Sequence, residues 1–121
     1  MKGALAASAI LLTFAIVGAG VTSAQTAIDK SAAKQAGRER LMKKLGSEGI
    51  FQKIVVPGNL PRLYVAPRFY RLDFDTKQNF VSVVYAYYFD GKNVTDAVRI
   101  YDGRSGKEIG SYTVTQGLKL D

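Results

Sequence analysis

Export without cysteine is the tightest constraint on what this chain can fold into. Residues 4–17 are apolar apart from Ser8 and Thr13, with Lys2 before them and Gly18, Gly20, Thr22, Ser23 and Ala24 leading into Gln25. A short apolar helix partitions into the translocon, and a signal peptidase needs small side chains beside the scissile bond. The pattern therefore predicts a signal peptide over residues 1–24, cut after Ala24. The rival is an uncleaved anchor, because residues 4–21 reach the lower edge of spanning length. Cleavage leaves 97 of the 121 residues, with no later apolar stretch long enough to span a bilayer. Small exported domains normally lean on disulfides. This chain has no cysteine and must hold itself by its core alone. At that size folding buries roughly 60–70% of the surface that the unfolded chain exposes. Export without disulfides fits a bacterial periplasm or secretion from a bacterial cell.

The sequence also lacks histidine. Together the two absences remove thiol nucleophiles, Cys or His zinc sites, haem attachment and every His-dependent triad. Neither a cofactor nor a metal is expected.

One boundary in composition organises the mature chain. Residues 25–49 are rich in Ala, Lys and Arg and contain no aromatic residue, whereas residues 50–121 hold 12 of the 13 aromatics. This predicts one small α+β domain over residues 25–121, a basic helix followed by a sheet. The helix is expected over residues 29–45. Asp29 or Ser31 would cap it, Gly46 would supply a left-handed residue after it, and Leu41, Met42 and Leu45 would share its packing side. Its first half lacks a continuing apolar stripe and is expected to fray.

Period-two patterning then predicts strands at residues 69–75, 80–89, 97–101 and 109–115. Residues 102–107 form a hairpin loop with glycines where positive φ is needed. Pro57, Pro61 and Pro67 bracket Leu63, Tyr64 and Val65, which reads as an edge strand or extended loop. The expected fold is an amino-terminal helix packed on a four- to five-stranded antiparallel meander.

Three strings invite chemistry. Gly103, Gly106 and Lys107 resemble a phosphate loop, but the glycine spacing is short and Glu108 stands where Ser or Thr is needed. Asp90, Asn93 and Asp96 resemble a calcium loop without its alternating ligands or closing bidentate Glu. Asp73 and Asp75 would share a face of one strand, where two carboxylates can share a proton and support a small hydrolase. A solvated face paired with Arg71 or Lys77 is the plainer account.

Two surfaces remain as binding candidates. The formal charge of +7 concentrates in the helix, where Lys34, Arg38, Lys43 and Lys44 would contact an anionic polymer or lipid. Export and the missing RNA-binding aromatic signature argue against nucleic acid. The run at residues 80–89 is apolar on both alternating faces, and one short helix covers only one of them. Tyr85, Tyr87 and Phe89 would then lie on an open face, as a surface for an envelope protein or a second copy. The function that follows is a non-enzymatic, exported interaction module of the bacterial envelope, with an anionic polymer or lipid binder as the alternative.

Overall fold

The computed structural model describes residues 27–121, so the expected signal peptide and its cleavage site lie outside the described residues. The described chain forms two α-helices and a five-stranded, mostly antiparallel sheet, an α+β architecture. Helix α1 (Ala32–Ser47) leads to β1 (Phe51–Val55) and β2 (Arg62–Val65). Helix α2 (Phe74–Tyr88) follows, then β3 (Ala97–Asp102), β4 (Glu108–Thr113) and β5 (Gly117–Leu120). The strands lie side by side in chain order, with every neighbouring pair antiparallel except β2 and β3. That pair is parallel because α2 carries the chain back to the starting end of the sheet. A pure meander is therefore corrected to a sheet with one helical crossover.

Helix α1 begins where the sequence placed its caps. Ser31 Oγ accepts the Lys34 amide, and Asp29 Oδ1 accepts the Ser31 amide at 2.8 Å, so the two candidates act in series. The left-handed residue beyond its end is Gly49 (φ 81°), not Gly46, which stays inside the helix. Met42 is buried. The first half, expected to fray, is tied by polar contacts instead. Gln35 Nε2 donates to the Tyr87 carbonyl at 3.0 Å, and Arg38 donates to the Asp29 carbonyl at 2.8 Å.

The largest correction concerns residues 69–89. Residues 69–71 lie in a 3₁₀ turn (Pro67–Arg71) that buries Phe69, and the expected strand over residues 80–89 is helix α2. Asp73 caps α2 by accepting the Thr76 amide at 2.8 Å, and Asp75 in the first turn favours the positive end of the helix dipole. Phe80, Val81, Val84 and Tyr85 are its buried residues, spaced i, i+1, i+4 and i+5. That spacing is helical. A segment with period 3.6 fills both alternating faces when read with period two, which is why the run looked like a strand covered on both sides.

Strand β2 is the second correction. It lies inside the sheet, between β1 and β3, not at an edge. Pro57, Pro61 and Pro67 all fall outside its four residues, leaving its amides free for the ladders. The hairpin at residues 102–107 forms, with positive φ at Gly106 (78°) but not at Gly103, where glycine is required by the close approach of the Val65 carbonyl instead. The Asp102 amide donates to the Lys107 carbonyl and the Gly106 amide to the Asp102 carbonyl, both at 2.8 Å. Strands flank it on both sides, so it is no phosphate loop.

One core joins these elements. Leu63, Val65, Val98, Ile100 and Leu118 line the inner face of the sheet and meet Met42 of α1 and the apolar stripe of α2. Helix α1 packs against α2 and β1, and α2 packs across β3, β4 and β5.

Candidate functional site

Because strand side chains alternate, burying Leu63, Val65, Val98 and Ile100 inward turns Arg62, Tyr64, Arg99 and Tyr101 outward. The parallel register of β2 and β3 pairs Arg62 with Arg99, Leu63 with Ile100 and Tyr64 with Tyr101. Two Arg-aliphatic-Tyr triplets thus lie side by side, like beside like. On β4 and β5, Ser111 pairs with Arg99 and Lys119 with Ser111, extending the arginine row across the sheet. On β1, Lys53 pairs with Tyr64 and extends the tyrosine row. With strands about 4.8 Å apart, Arg62, Arg99 and Lys119 span roughly 15 Å. No described helix crosses this face.

The arrangement is electrostatically unbalanced. Lys53, Arg62, Arg99 and Lys119 are opposed by Glu108, which pairs with Arg99 at 2.8 Å. Like charges directly opposite one another on a sheet are destabilising, so the Arg62–Arg99 neighbourhood costs free energy that the fold offsets elsewhere. Part of the offset is local. Lys53 Nζ lies 4.9 Å from the Tyr64 ring centre, and the Arg62 guanidinium 5.7 Å from that of Tyr101.

The two tyrosines stack on each other at 5.1 Å, with ring planes 21° apart. Each ring also has one cation near it, Lys53 at Tyr64 and Arg62 at Tyr101. What the sheet offers outward is ring edges, phenol hydroxyls, ammonium and guanidinium groups. Such a surface donates hydrogen bonds to anionic oxygen.

The residues singled out from sequence land elsewhere. Tyr85, Tyr87 and Phe89 lie on and just past α2 rather than on a sheet face. Tyr85 is 2% exposed, with its ring 5.0 Å from Phe89 and 5.4 Å from Tyr112, while Tyr87 and Phe89 are half-buried. An open tyrosine face of the expected kind is therefore corrected: Tyr85 is core. Lys34, Arg38, Lys43 and Lys44 all lie on α1, but at about 100° per residue Lys34 and Lys43 point in opposite directions. Arg38 is also spent on Asp29 and Gln35, and Lys44 stands 4.0 Å from Glu48. The structure does not gather the four into one patch.

Asp73 and Asp75 share no strand, since one caps α2 and the other sits in its first turn. The Thr76 hydroxyl, and then its amide, hold the Asp73 carboxyl below the usual carboxylate range, opposite to what a general acid needs. Asp90 Oδ1 accepts the Lys92 amide and Asn93 Oδ1 the Thr95 amide, as in ordinary polar turns. Among the described residues no group of three acidic, His or Cys side chains is placed to hold a metal.

Sequence reasoning missed the outward-facing cations and tyrosines of the sheet. A signal for them existed in the repeated triplet, Arg62-Leu63-Tyr64 and Arg99-Ile100-Tyr101. Only a parallel pairing of the two strands brings the copies into register, and that pairing required seeing α2 as a crossover. No family model matches this chain, and neither does any curated protein or any solved structure.

Proposed function

We propose that this chain is a non-enzymatic binding module of the bacterial envelope, exported by its amino-terminal segment, and that its open sheet face takes an extended anionic polymer. The observation that carries this reading is the cross-sheet row of Arg62, Arg99 and Lys119 beside the stacked Tyr64 and Tyr101. Cations repeated along a line suit anions repeated along a chain, and the tyrosine hydroxyls add hydrogen bonds to the same oxygens. Helix α1 would then contribute general positive potential through Lys34, Arg38, Lys43 and Lys44 rather than a focused site. Its packing against the domain leaves the sheet face open.

The test is binding to polygalacturonate, a linear carboxylated polymer, followed by light scattering or calorimetry. Binding should be clear near 0.1 M salt and nearly lost near 1 M, where the Debye length falls from about 10 Å to about 3 Å. A double variant, Arg62→Glu with Arg99→Glu, should abolish it, whereas Lys34→Glu with Lys43→Glu should leave most of it. No binding at low salt, or loss confined to the helix variant, overturns the proposal. Equal retention on anionic vesicles, with no preference for the polymer, would also overturn it in favour of a lipid surface.

A further inference from the structure

A cleft of about 390 Å³ opens where α2 ends, beside the starts of β2 and β3. Val56, Tyr88 and Phe89 supply apolar wall, and Lys30, Asp90 and Asp96 supply charge. This volume lies within the range of small-molecule sites, which are mostly apolar with a few convergent polar groups. The charge inside it opposes that of the protein as a whole: two carboxylates against one ammonium in a chain of net charge +7.

The one cation is already committed. Lys30 Nζ donates to the carbonyls of Ala86 at 2.6 Å, Tyr87 at 2.7 Å and Phe89 at 3.0 Å. Those are the last carbonyls of α2 and its cap, so all three ammonium protons serve the negative end of that helix. Asp90 spends one oxygen on the Lys92 amide at 3.0 Å. The half-buried Asp96 carboxylate accepts no hydrogen bond and joins no ion pair among the described residues. The negative field extends inward to Tyr85, whose hydroxyl is pushed up by burial first and then by Asp96, Tyr112 and Asp90. A half-buried carboxylate without a donor, beside aromatic and valine surface, is complementary to an ammonium on an apolar stem.

We infer that this cleft is a binding site for an alkylammonium group, with the charge on Asp96, reinforced by Asp90, and the stem against Val56, Tyr88 and Phe89. The site does not rest on the polymer-binding reading: its charge and its ligand are of the opposite sign to those of the sheet face. Lys30 keeps its structural role and closes one side of the cleft.

The experiment is a titration of the purified, isotope-labelled protein with n-pentylamine at pH 7, followed through backbone amide shifts. The neutral isostere 1-pentanol serves as a control that needs no variant. Shifts should concentrate at residues 88–96 and saturate with Kd of about 1 mM, a reasonable strength for so small a ligand. Pentanol should bind at least about tenfold more weakly, and Asp96→Asn should lower pentylamine to the pentanol level. The titration uses the unaltered protein, and its variant Asp96→Asn touches no residue of the polymer face, so failure of the polymer proposal leaves this result readable. Equal binding of the two probes, shifts spread away from residues 88–96, unchanged affinity in Asp96→Asn, or no saturable shift would each overturn the inference. Addition of a short lysine-containing peptide then separates the sources. Competition at matching affinity assigns a protein side chain as an admissible donor of the group, and its absence restricts the site to free amines.

Discussion

Replacing Tyr85 by phenylalanine deletes one oxygen and should stabilise the protein. The residue is 2% exposed, and its hydroxyl is a buried group with no hydrogen-bond partner in the described structure. In the unfolded chain that hydroxyl is hydrated, so folding strips it of water with nothing in return. A buried group left unsatisfied costs about 1–3 kcal/mol, and net hydrogen-bond contributions cluster near 1 kcal/mol. We expect Tyr85→Phe to gain about 1 kcal/mol, which for a domain of this size raises Tm by roughly 4–8 °C. The ring itself must stay, since it packs between Phe89 and Tyr112 on the main stripe of α2. Tyr85→Ala should lose about 3–5 kcal/mol through lost burial and a cavity. That is a large part of the 5–15 kcal/mol typical of a small domain. Urea titration followed by far-ultraviolet circular dichroism measures all three proteins, with a constant m-value confirming that only stability has changed. If Tyr85→Phe is less stable than the parent by about 1 kcal/mol or more, the hydroxyl has a partner and the reasoning fails.

Three other perturbations test the fold at separate points. A Cβ on Gly110 would run into the Lys119 carbonyl and come within 2.8 Å of Leu120 Cδ2, so Gly110→Ala should cost about 1–3 kcal/mol and weaken amide-exchange protection along β5 first; unaltered protection there would refute the close approach. The Tyr70 hydroxyl donates to Asp102 Oδ1 at 2.6 Å, holding that carboxyl near about 2, mainly through this bond and then through Ser105. Burial and then Asp102 push Tyr70 up to about 12. The stability conferred by the depressed Asp102 is present above its ordinary 3.8 and lost as pH falls through about 2. That conferred by the raised Tyr70 is present below its ordinary 10.0 and lost as pH rises through about 12. The Tm difference between the parent and Tyr70→Phe should therefore be flat from about pH 4 to pH 10 and shrink on both sides; a difference that grows in acid would refute it. Asp73→Ala should lower Tm by removing the cap of α2, while Asp73→Asn and Asp73→Ser restore most of it, because the cap needs an acceptor and not a charge; equal loss in all three would point to another role.

The legible parts of this protein are those whose signal is local. Ser31 and Asp29 marked the start of α1 because capping is a contact between residues two or three apart in sequence. The hairpin at residues 102–107 and its two strands followed from turn chemistry and period-two patterning within about a dozen residues. Absence of Cys and His was fully legible and restricted the chemistry before any fold was known.

Residues 80–89 were misread because Val, Tyr and Phe carry strand propensity, and a short apolar run satisfies both periods at once. Tertiary structure decided between them. The inner face of the sheet needed a helix to cover it, and Phe80, Val81, Val84 and Tyr85 provide that cover only at 3.6 residues per turn. That one decision fixed the rest of the topology: a helix between β2 and β3 makes them parallel, moves β2 inside the sheet and aligns Arg62 with Arg99 and Tyr64 with Tyr101. The basic residues were countable from sequence, as was the composition boundary near residue 50. Which cations stand together depends on strand register and on which face the core claims, and both are set by contacts between residues far apart in the chain.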